Sequence, residues 1–305
     1  MMAAARPMVS IIIPHLNQQD ALIRCLESLE RQDFTAGSVE IIVVDNGSRE
    51  PLDPLSTAFP AVIFEQELQP GPGPARNRGV ARAVADILLF IDADCRAHAA
   101  WISSAVAALR QTNSTGICGG DVQIDVLDPA SLTALEAYES VFAYRQQRYI
   151  AQEGFSGTGN LGMTRAIFEA VGAFGGIGIA EDIDWGKRAV MMGHMTRYDP
   201  NMIVYHPARI SFDELTQKWR RHVAHDLASR RQSGRSAIGW YLRALAVVAS
   251  IIPHSLTVLT SPRLVRPTDR LRAIAVLIRI RWFRSAEMLR QRRATGDGAA
   301  ANWNR

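Results

Sequence analysis

Ile87–Asp94 reads ILLFIDAD, five consecutive apolar residues followed by two aspartates that flank one alanine. An apolar run of that length, with no polar residue turned to solvent, fits a strand buried on both faces, as in parallel sheets covered by helices. The pattern repeats on the N-terminal side. Val9–Ile13 (VSIII) ends at Pro14, Val39–Val44 (VEIIVV) ends at the polar turn Asp45-Asn46-Gly47-Ser48, and Ala61–Glu65 is a shorter strand. Between the first two, Leu22, Cys25, Leu26 and Leu29 recur at three- and four-residue spacing with charges opposite, which predicts an amphipathic helix. Ala75–Ala85 predicts another. Strand and helix alternate through the first hundred residues, as an α/β, Rossmann-like sheet requires.

Beyond that point, Gly116–Val126 predicts a strand, Ser131–Ile150 one helix, and Glu153–Gly162 a glycine-rich loop able to pass close to a ligand. Asp182–Met192 predicts a helix, and Met202–Tyr205 a short strand ending at His206. Phe212–Arg235 predicts a basic helix. Ile238–Thr260 is largely apolar but interrupted by Arg243 and by Pro253-His254, at the threshold of the ~20 apolar residues that a membrane span needs. Arg263–Arg293 carries ten arginines against Asp269 and Glu287, a net +8 that exceeds the +4 of the whole chain, so the remainder is net acidic. These shifts divide the chain into a domain over residues 1–235 and a helical, basic and apolar extension over 236–305.

The 305 residues are 48% hydrophobic, enough for a buried core and too apolar for a disordered chain. A net charge of +4 does not imply nucleic acid, and the basic tail has neither zinc-finger spacing nor RNA-binding aromatics. Lys187 and Lys218 are the only lysines. The arginine bias supplies rigid forks for phosphate or carboxylate, although genome base composition produces the same bias. Cys25, Cys95 and Cys118 are an odd number without paired C-x-x-C spacing, which indicates neither a disulfide framework nor a cysteine zinc site and fits a reducing cytoplasm. The apolar run before Pro14 is too short for a secretory signal.

Ligands of α/β sheets gather at the carboxyl ends of the strands. Four polar clusters fall there: Pro14-His15-Leu16-Asn17, Asp45–Ser48, Asp92-Ala93-Asp94 and His206. Two carboxylates one residue apart in extended chain can face one side and hold Mg2+ or Mn2+ against phosphates; the same pair can also cap the following helix. Pro70–Gly79 (PGPGPARNRG) matches neither glycine-loop nucleotide pattern, and Arg76 fits either a phosphate or nucleobase contact or a solvated helix charge. Glu181-Asp182-Ile183-Asp184 follows the Gly175–Gly178 run. Acids there suit a helix's first turn, and equally a general base that must reach a hydroxyl.

In their order, IIIPHLN, VVDNGS, GPGPARNRG, LLFIDADC, GTGNLGMTRAIFEAVGAF, AEDIDWGKR and YHP make the chain from about Val9 to about Arg235 closely resemble the family 2 glycosyltransferases. The resemblance implies the GT-A fold, a Rossmann-like mixed central sheet flanked by helices, here with a C-terminal helical extension. It implies inverting transfer of a sugar from a nucleotide donor, a UDP-sugar being favoured, to a hydroxyl of a polysaccharide, lipid-linked glycan or glycoconjugate. On residues, it implies Asp45 reading the base, Arg76 near the same nucleotide, Pro14 at the pocket rim and Asp92 on the ribose side. Asp94 would hold Mn2+ or Mg2+ on the diphosphate, with His206 completing that environment. Asp182 would be the general base and Glu181 would shape the acceptor side. Direct attack from the opposite face needs one protein base, unlike the paired acids of glycoside hydrolases.

Two departures stand out. His15-Leu16-Asn17 replaces an aromatic that many relatives carry before the asparagine. Gln217-Lys218-Trp219-Arg220-Arg221 lacks the Q-x-x-R-W order of processive members, with Arg221 in the tryptophan's place, which favours addition of one sugar at a time. A sugar nucleotidyltransferase and a non-catalytic nucleotide-binding scaffold are the competing readings. The apolar residues of the basic tail, Leu271, Ile274, Leu277, Ile278, Trp282 and Phe283, fit an amphipathic helix on an anionic membrane surface, which would place the protein on the cytoplasmic face of the inner membrane. They fit equally a homo-oligomer contact or docking onto the catalytic domain.

Overall fold

The computed structural model describes residues 6–34, 38–111, 115–233 and 236–293. In chain order the elements are β1 (Val9–His15), α1 (Gln19–Glu30), β2 (Val39–Asp45), α2 (Asp53–Ala58), β3 (Val62–Gln66), α3 (Pro72–Arg82), β4 (Ile87–Ile91) and β5 (Arg96–Ala97). There follow α4 (Trp101–Arg110), β6 (Ile117–Asp125), α5 (Ala134–Phe142), α6 (Gln146–Glu153), β7 (Asn160–Thr164), α7 (Arg165–Val171), α8 (Glu181–Met191) and β8 (Arg197–Pro207). The last four are α9 (Phe212–Gln232), α10 (Ala237–Ala249), α11 (Ile251–Leu259) and α12 (Pro267–Arg293). The chain divides into two compact units, Met1–Gln123 with Arg145–His206, and Ile124–Tyr144 with Pro207–Arg305.

The sheet order is β3-β2-β1-β4-β7-β6-β8-β5. β1 runs parallel to β2 and β4, β2 runs parallel to β3, and β7 enters antiparallel to both β4 and β6. The sheet is therefore mixed, in the GT-A-like arrangement. Its core forms where β-branched and aromatic strand residues meet helix faces. Ile12, Ile42, Val44, Leu88 and Phe90 pack with Ala75 and Val80 of α3 and with Trp185 and Ala189 of α8. Phe90 and Phe174 meet edge to face at 5.4 Å, a favourable aromatic geometry.

Several boundaries differ from expectation for local physical reasons. Pro14 lies inside β1, opposite Val44, because the β4 pairing has already ended at Ile12 and the missing N–H removes no ladder bond there. α3 starts earlier than expected, at Pro72, whose fixed φ suits a first helical turn. Ser131–Ile150 is two helices, α5 and α6; the first is started by a capping box between Thr133 and Glu136. Asn160–Gly162, read as the end of the glycine-rich loop, belongs to β7. Gly162 makes this insertion possible: a Cβ there would lie 2.8 Å from Leu89 Cδ2 on β4 and 2.9 Å from Cys118 Sγ on β6. The apolar 238–260 stretch divides at Ser250, and Pro253 sits in the first turn of α11, where no donor is needed.

In the second unit α12 is a central spine. Ala273, Val276, Leu277 and Ile280 are buried with Ala137, Tyr138, Leu215, Val258 and Leu264. Trp240 of α10 packs with Val223, Leu227 and Met288, and its Nε1 donates to the Met288 carbonyl at 2.9 Å. Of the tail residues read as membrane-facing, Leu277 is buried, whereas Leu271, Ile278 and Trp282 are exposed.

Candidate active site

The carboxyl ends of β1 and β2 are tied together by side chains. His15 is buried, its Nδ1 stands 3.2 Å from Asp45 Oδ1, and its Nε2 accepts the Gln18 N–H at 3.1 Å. The bond from Gln18 leaves Nε2 without a proton, so Nδ1 is the protonated nitrogen and donates to Asp45. Asp45 also accepts the Ser48 N–H, and Ser48 Oγ accepts the Asn17 N–H at 2.8 Å. Asn17 takes a left-handed conformation, φ 55°, which asparagine tolerates better than most residues. Asn46 then connects this corner to α3: its amide donates to the Glu67 and Gln69 carbonyls and accepts the Gly71 N–H.

α3 delivers Arg76 inward. Its side chain is buried, with Nη2 donating to Asp92 Oδ1 at 2.7 Å and Nη1 donating to Glu181 Oε1 at 2.9 Å. Its Nε has no hydrogen-bond partner. One guanidinium fork thus joins the turn after β4 to the head of α8. Arg76 is neither a solvated helix charge nor a free cation; it is an internal counter-ion shared by two carboxylates.

Asp92 and Asp94 do not cap the next helix. The residue that opens α4 is Ala100, which makes no side-chain cap bond. Asp94 instead faces His206 at the end of β8, with Oδ2 3.4 Å from Nε2. Asp94, Cys95 and His206 bring one potential ligand atom each within 4.8 Å of one another. Burial pushes the Asp94 carboxyl above the ordinary aspartate range; the neighbouring His206 opposes that rise, and the charge of Asp92 adds to it. Burial, reinforced by the charges of Asp92 and Asp94, holds the Cys95 thiol well above its usual range. The donors on offer are the Asp94 carboxylate and the His206 imidazole, with the Cys95 sulfur beside them.

The head of α8 is held rigidly. Trp185 Nε1 donates to the Gly172 carbonyl, while Arg188 bonds Asp184 and the Val171 and Ala173 carbonyls, which gives Asp184 a structural ion pair. The glycine run before α8 is pressed onto α3: a Cβ on Gly73 would stand 1.9 Å from the Gly175 carbonyl oxygen. Asp182 accepts the Ile183 N–H at 2.8 Å. Its carboxyl is raised above the ordinary range by burial first and by the Glu181 charge second, against the pull of Arg76. A raised carboxyl on a fixed helix end is a stronger proton acceptor than an exposed one.

The structure therefore brings Arg76, Asp92, Glu181 and Asp182 into one charged group and Asp94 with His206 into a neighbouring pair on the same turn. Asp45 and Pro14 lie at the β1–β2 corner, connected to the rest through Asn46 and α3. A separate cavity of about 440 Å³ lies at the amino end of β4, beside Asp86, Ile87 and Arg165, away from these groups.

Residues 10–172 match the family model described as glycosyl transferase family 2. The chain belongs to glycosyl transferase family 2. This glycosyltransferase is 31% identical over 224 residues to Glycosyltransferase AglE of Haloferax volcanii, an alignment covering 71% of this chain and 72% of that one. It is 36% identical over 124 residues to a PGL/p-HBAD biosynthesis glycosyltransferase of Mycobacterium bovis, covering 39% of this chain and 48% of that one. Among solved structures it resembles the mannosyltransferase PcManGT from Pyrobaculum calidifontis, in complex with GDP-Man and Mn2+, with TM-score 0.56 at 17% identity over 93% of this chain and 85% of that one. S. aureus TarS 1-349 gives TM-score 0.52 at 16% identity over 94% and 92%. Family membership makes the protein a nucleotide-sugar-dependent glycosyltransferase.

Three residues of this glycosyltransferase support the site through contacts that its sequence does not reveal. His15 stands in the polar cluster at the end of β1, one residue before the position where many relatives carry an aromatic, and its bond to Asp45 has no local signature. Asn160 accepts from Trp101 Nε1 and donates to the Asp121 and Met202 carbonyls, stitching α4, β6 and β8 beneath the Asp92–Asp94 turn. Gln146 grips both the N–H and the carbonyl of Gly157, fixing the glycine-rich loop. A polar residue inside an apolar or glycine-rich segment was the available hint for Asn160.

Proposed function

We propose that this glycosyltransferase moves one sugar at a time from a nucleoside-diphosphate sugar to an acceptor hydroxyl with inversion, using Asp182 as general base. The observation that carries the reading is the Arg76 bridge, which fixes Glu181, and with it Asp182, beside the Asp92–Asp94 turn. Asp182 takes the acceptor hydroxyl's proton on a carboxylate oxygen as that oxygen attacks the anomeric carbon. Glu181 shapes the acceptor side and keeps the Asp182 proton affinity high. Asp45, held by His15 and Ser48, accepts from the donor's base, with Pro14 at the rim and Asp92 towards the ribose.

The carboxylate of Asp94 and the imidazole of His206 suit Mn2+ or Mg2+. A divalent ion held by them would supply positive charge against the diphosphate leaving group. A lipid-linked or glycan acceptor is the reading favoured by the mycobacterial relative's part in PGL/p-HBAD biosynthesis. UDP-sugars are the first donors to test, with GDP-Man, the donor bound by PcManGT, as the second.

The test is turnover of a donor panel by the full chain, with products resolved by mass and the anomeric configuration read by NMR. Nucleoside diphosphate and an inverted glycoside are expected, and Asp182→Ala abolishes transfer. Release of pyrophosphate without nucleoside diphosphate would make the protein a nucleotidyltransferase, and full turnover by Asp182→Ala would remove that residue as base.

A further inference from the structure

The exposed apolar surface of the helical unit lies on α10 and α11, rather than mainly on the arginine-rich α12. Ile238, Leu242, Leu245, Ile252, Leu256 and Leu259 are between 46% and 74% exposed. From Leu242 they recur at offsets of three, ten, fourteen and seventeen residues, with Ile238 one turn before, which is one helical stripe. The stripe continues across the junction because Ser250 keeps helical dihedrals, φ −66° and ψ −8°. The opposite stripe, Trp240, Ala244, Val247 and Val258, is buried in the unit's own cores.

We propose that this ridge is a membrane-interface anchor that lies in the headgroup region of an anionic bilayer. The charge of the surrounding chain selects that partner over a neutral apolar one. Ser236–Thr268 contains no acidic residue, and Ser236–Arg293 carries eleven arginines against Asp269 and Glu287, a net +9 in a chain whose total is +4. Arg243, the one arginine on α10 and α11, pairs with Asp226 at 2.7 Å, so the attraction comes from the arginines of 263–293; an apolar helix face in a basic unit is the recognition chemistry of anionic lipid surfaces.

Ala237–Leu259 is long and apolar enough to span a membrane, with a mean hydropathy of 1.7 over its most apolar window. Packing argues that it lies flat instead. A spanning helix would have to pull Trp240 from the Met288 carbonyl and strip Ala244, Val247 and Val258 from Val223, Leu227, Leu264 and Leu277. Resting along the interface immerses the ridge and leaves that core intact.

The test is co-sedimentation of the full chain with vesicles of mixed phosphatidylcholine and phosphatidylglycerol. The triple variant Leu242→Glu, Leu245→Glu, Ile252→Glu replaces exposed residues only, and its bound fraction should fall at least about tenfold. A second measurement does not depend on that variant folding. Leu245→Trp places an indole on the ridge, and lipids with brominated acyl chains should quench it beyond the wild-type signal. Equal vesicle binding by the triple variant, or no added quenching of Leu245→Trp, overturns the proposal. So does a solution dimer that the triple variant dissociates while vesicles bind neither protein; a second copy of this chain would then cover the ridge.

Discussion

Arg76 Nη1 donates to Glu181 Oε1 at 2.9 Å, joining residues 105 positions apart, while the same guanidinium holds Asp92 at 2.7 Å. The bridge makes the start of α8 a fixed extension of the turn after β4. It also sets the electrostatics around Asp182, whose charged neighbours are Glu181 and Arg76.

Removing that cation leaves two carboxylates facing each other. Arg76→Ala should lower stability by about 2–4 kcal/mol, less than for a wholly enclosed pair because Asp92 is partly open to solvent. Arg76→Lys keeps the charge but loses the two-armed geometry, and should recover less than half of the loss. Urea unfolding midpoints with donor KM on the same samples check both.

As the proposed general base, Asp182 should set the acidic limb of the rate profile. Its raised carboxyl means that kcat/KM should climb through a pKa above the ordinary aspartate value of 3.8. Glu181→Gln removes the like charge and should move that limb to lower pH. The same shift acts on stability in the opposite sense. The folded chain holds this proton at pH values where the unfolded chain has lost it, so the group's contribution falls as pH rises from 3.8 through the folded pKa. Asp182→Asn should therefore be inactive yet more stable at neutral pH than the wild type, as measured by thermal melting.

At the Asp94–His206 pair, chelation should stop turnover and Mn2+ should restore it better than Mg2+, because one of the two donors is an imidazole. Asp94→Ala should reduce kcat about 10²–10³-fold with no rescue by added ion. His206→Ala should retain rescue at a concentration raised about tenfold or more. Metal titrations of initial rate separate the two.

His15 is a positioning residue for Asp45. His15→Ala removes the acceptor of the Gln18 N–H and the partner of the Asp45 carboxylate, which should cost about 1 kcal/mol of stability. It should raise donor KM more than it lowers kcat, since the corner it holds carries Asp45, the residue proposed to read the donor's base. Steady-state kinetics with saturating acceptor give the split.

Much of the catalytic unit was legible in the chain itself. VSIII, VEIIVV and ILLFI are apolar because both faces of β1, β2 and β4 are covered, and each run stops where a polar turn must leave the sheet. Asp45, Asp92, Asp94 and His206 were placed at strand ends on that ground. β7 was missed because NLGMT is short, centred on a glycine and without a β-branched run. It is a strand only because β4 and β6 offer ladders on both sides and Gly162 has no side chain to block the fit.

The sequence by itself determined the α/β order, the strand ends that carry the acids, and the basic, apolar character of the tail. All of these follow from short-range periodicity and composition, which a chain displays before it folds. Only the tertiary structure decided that Arg76 serves Asp92 and Glu181 together, that Asp94 meets His206, and that α10 and α11 rather than α12 carry the longer exposed apolar ridge. Those outcomes depend on which distant groups share a low-dielectric space and on which face of each helix the packing consumes. Neither leaves a periodic trace along the chain.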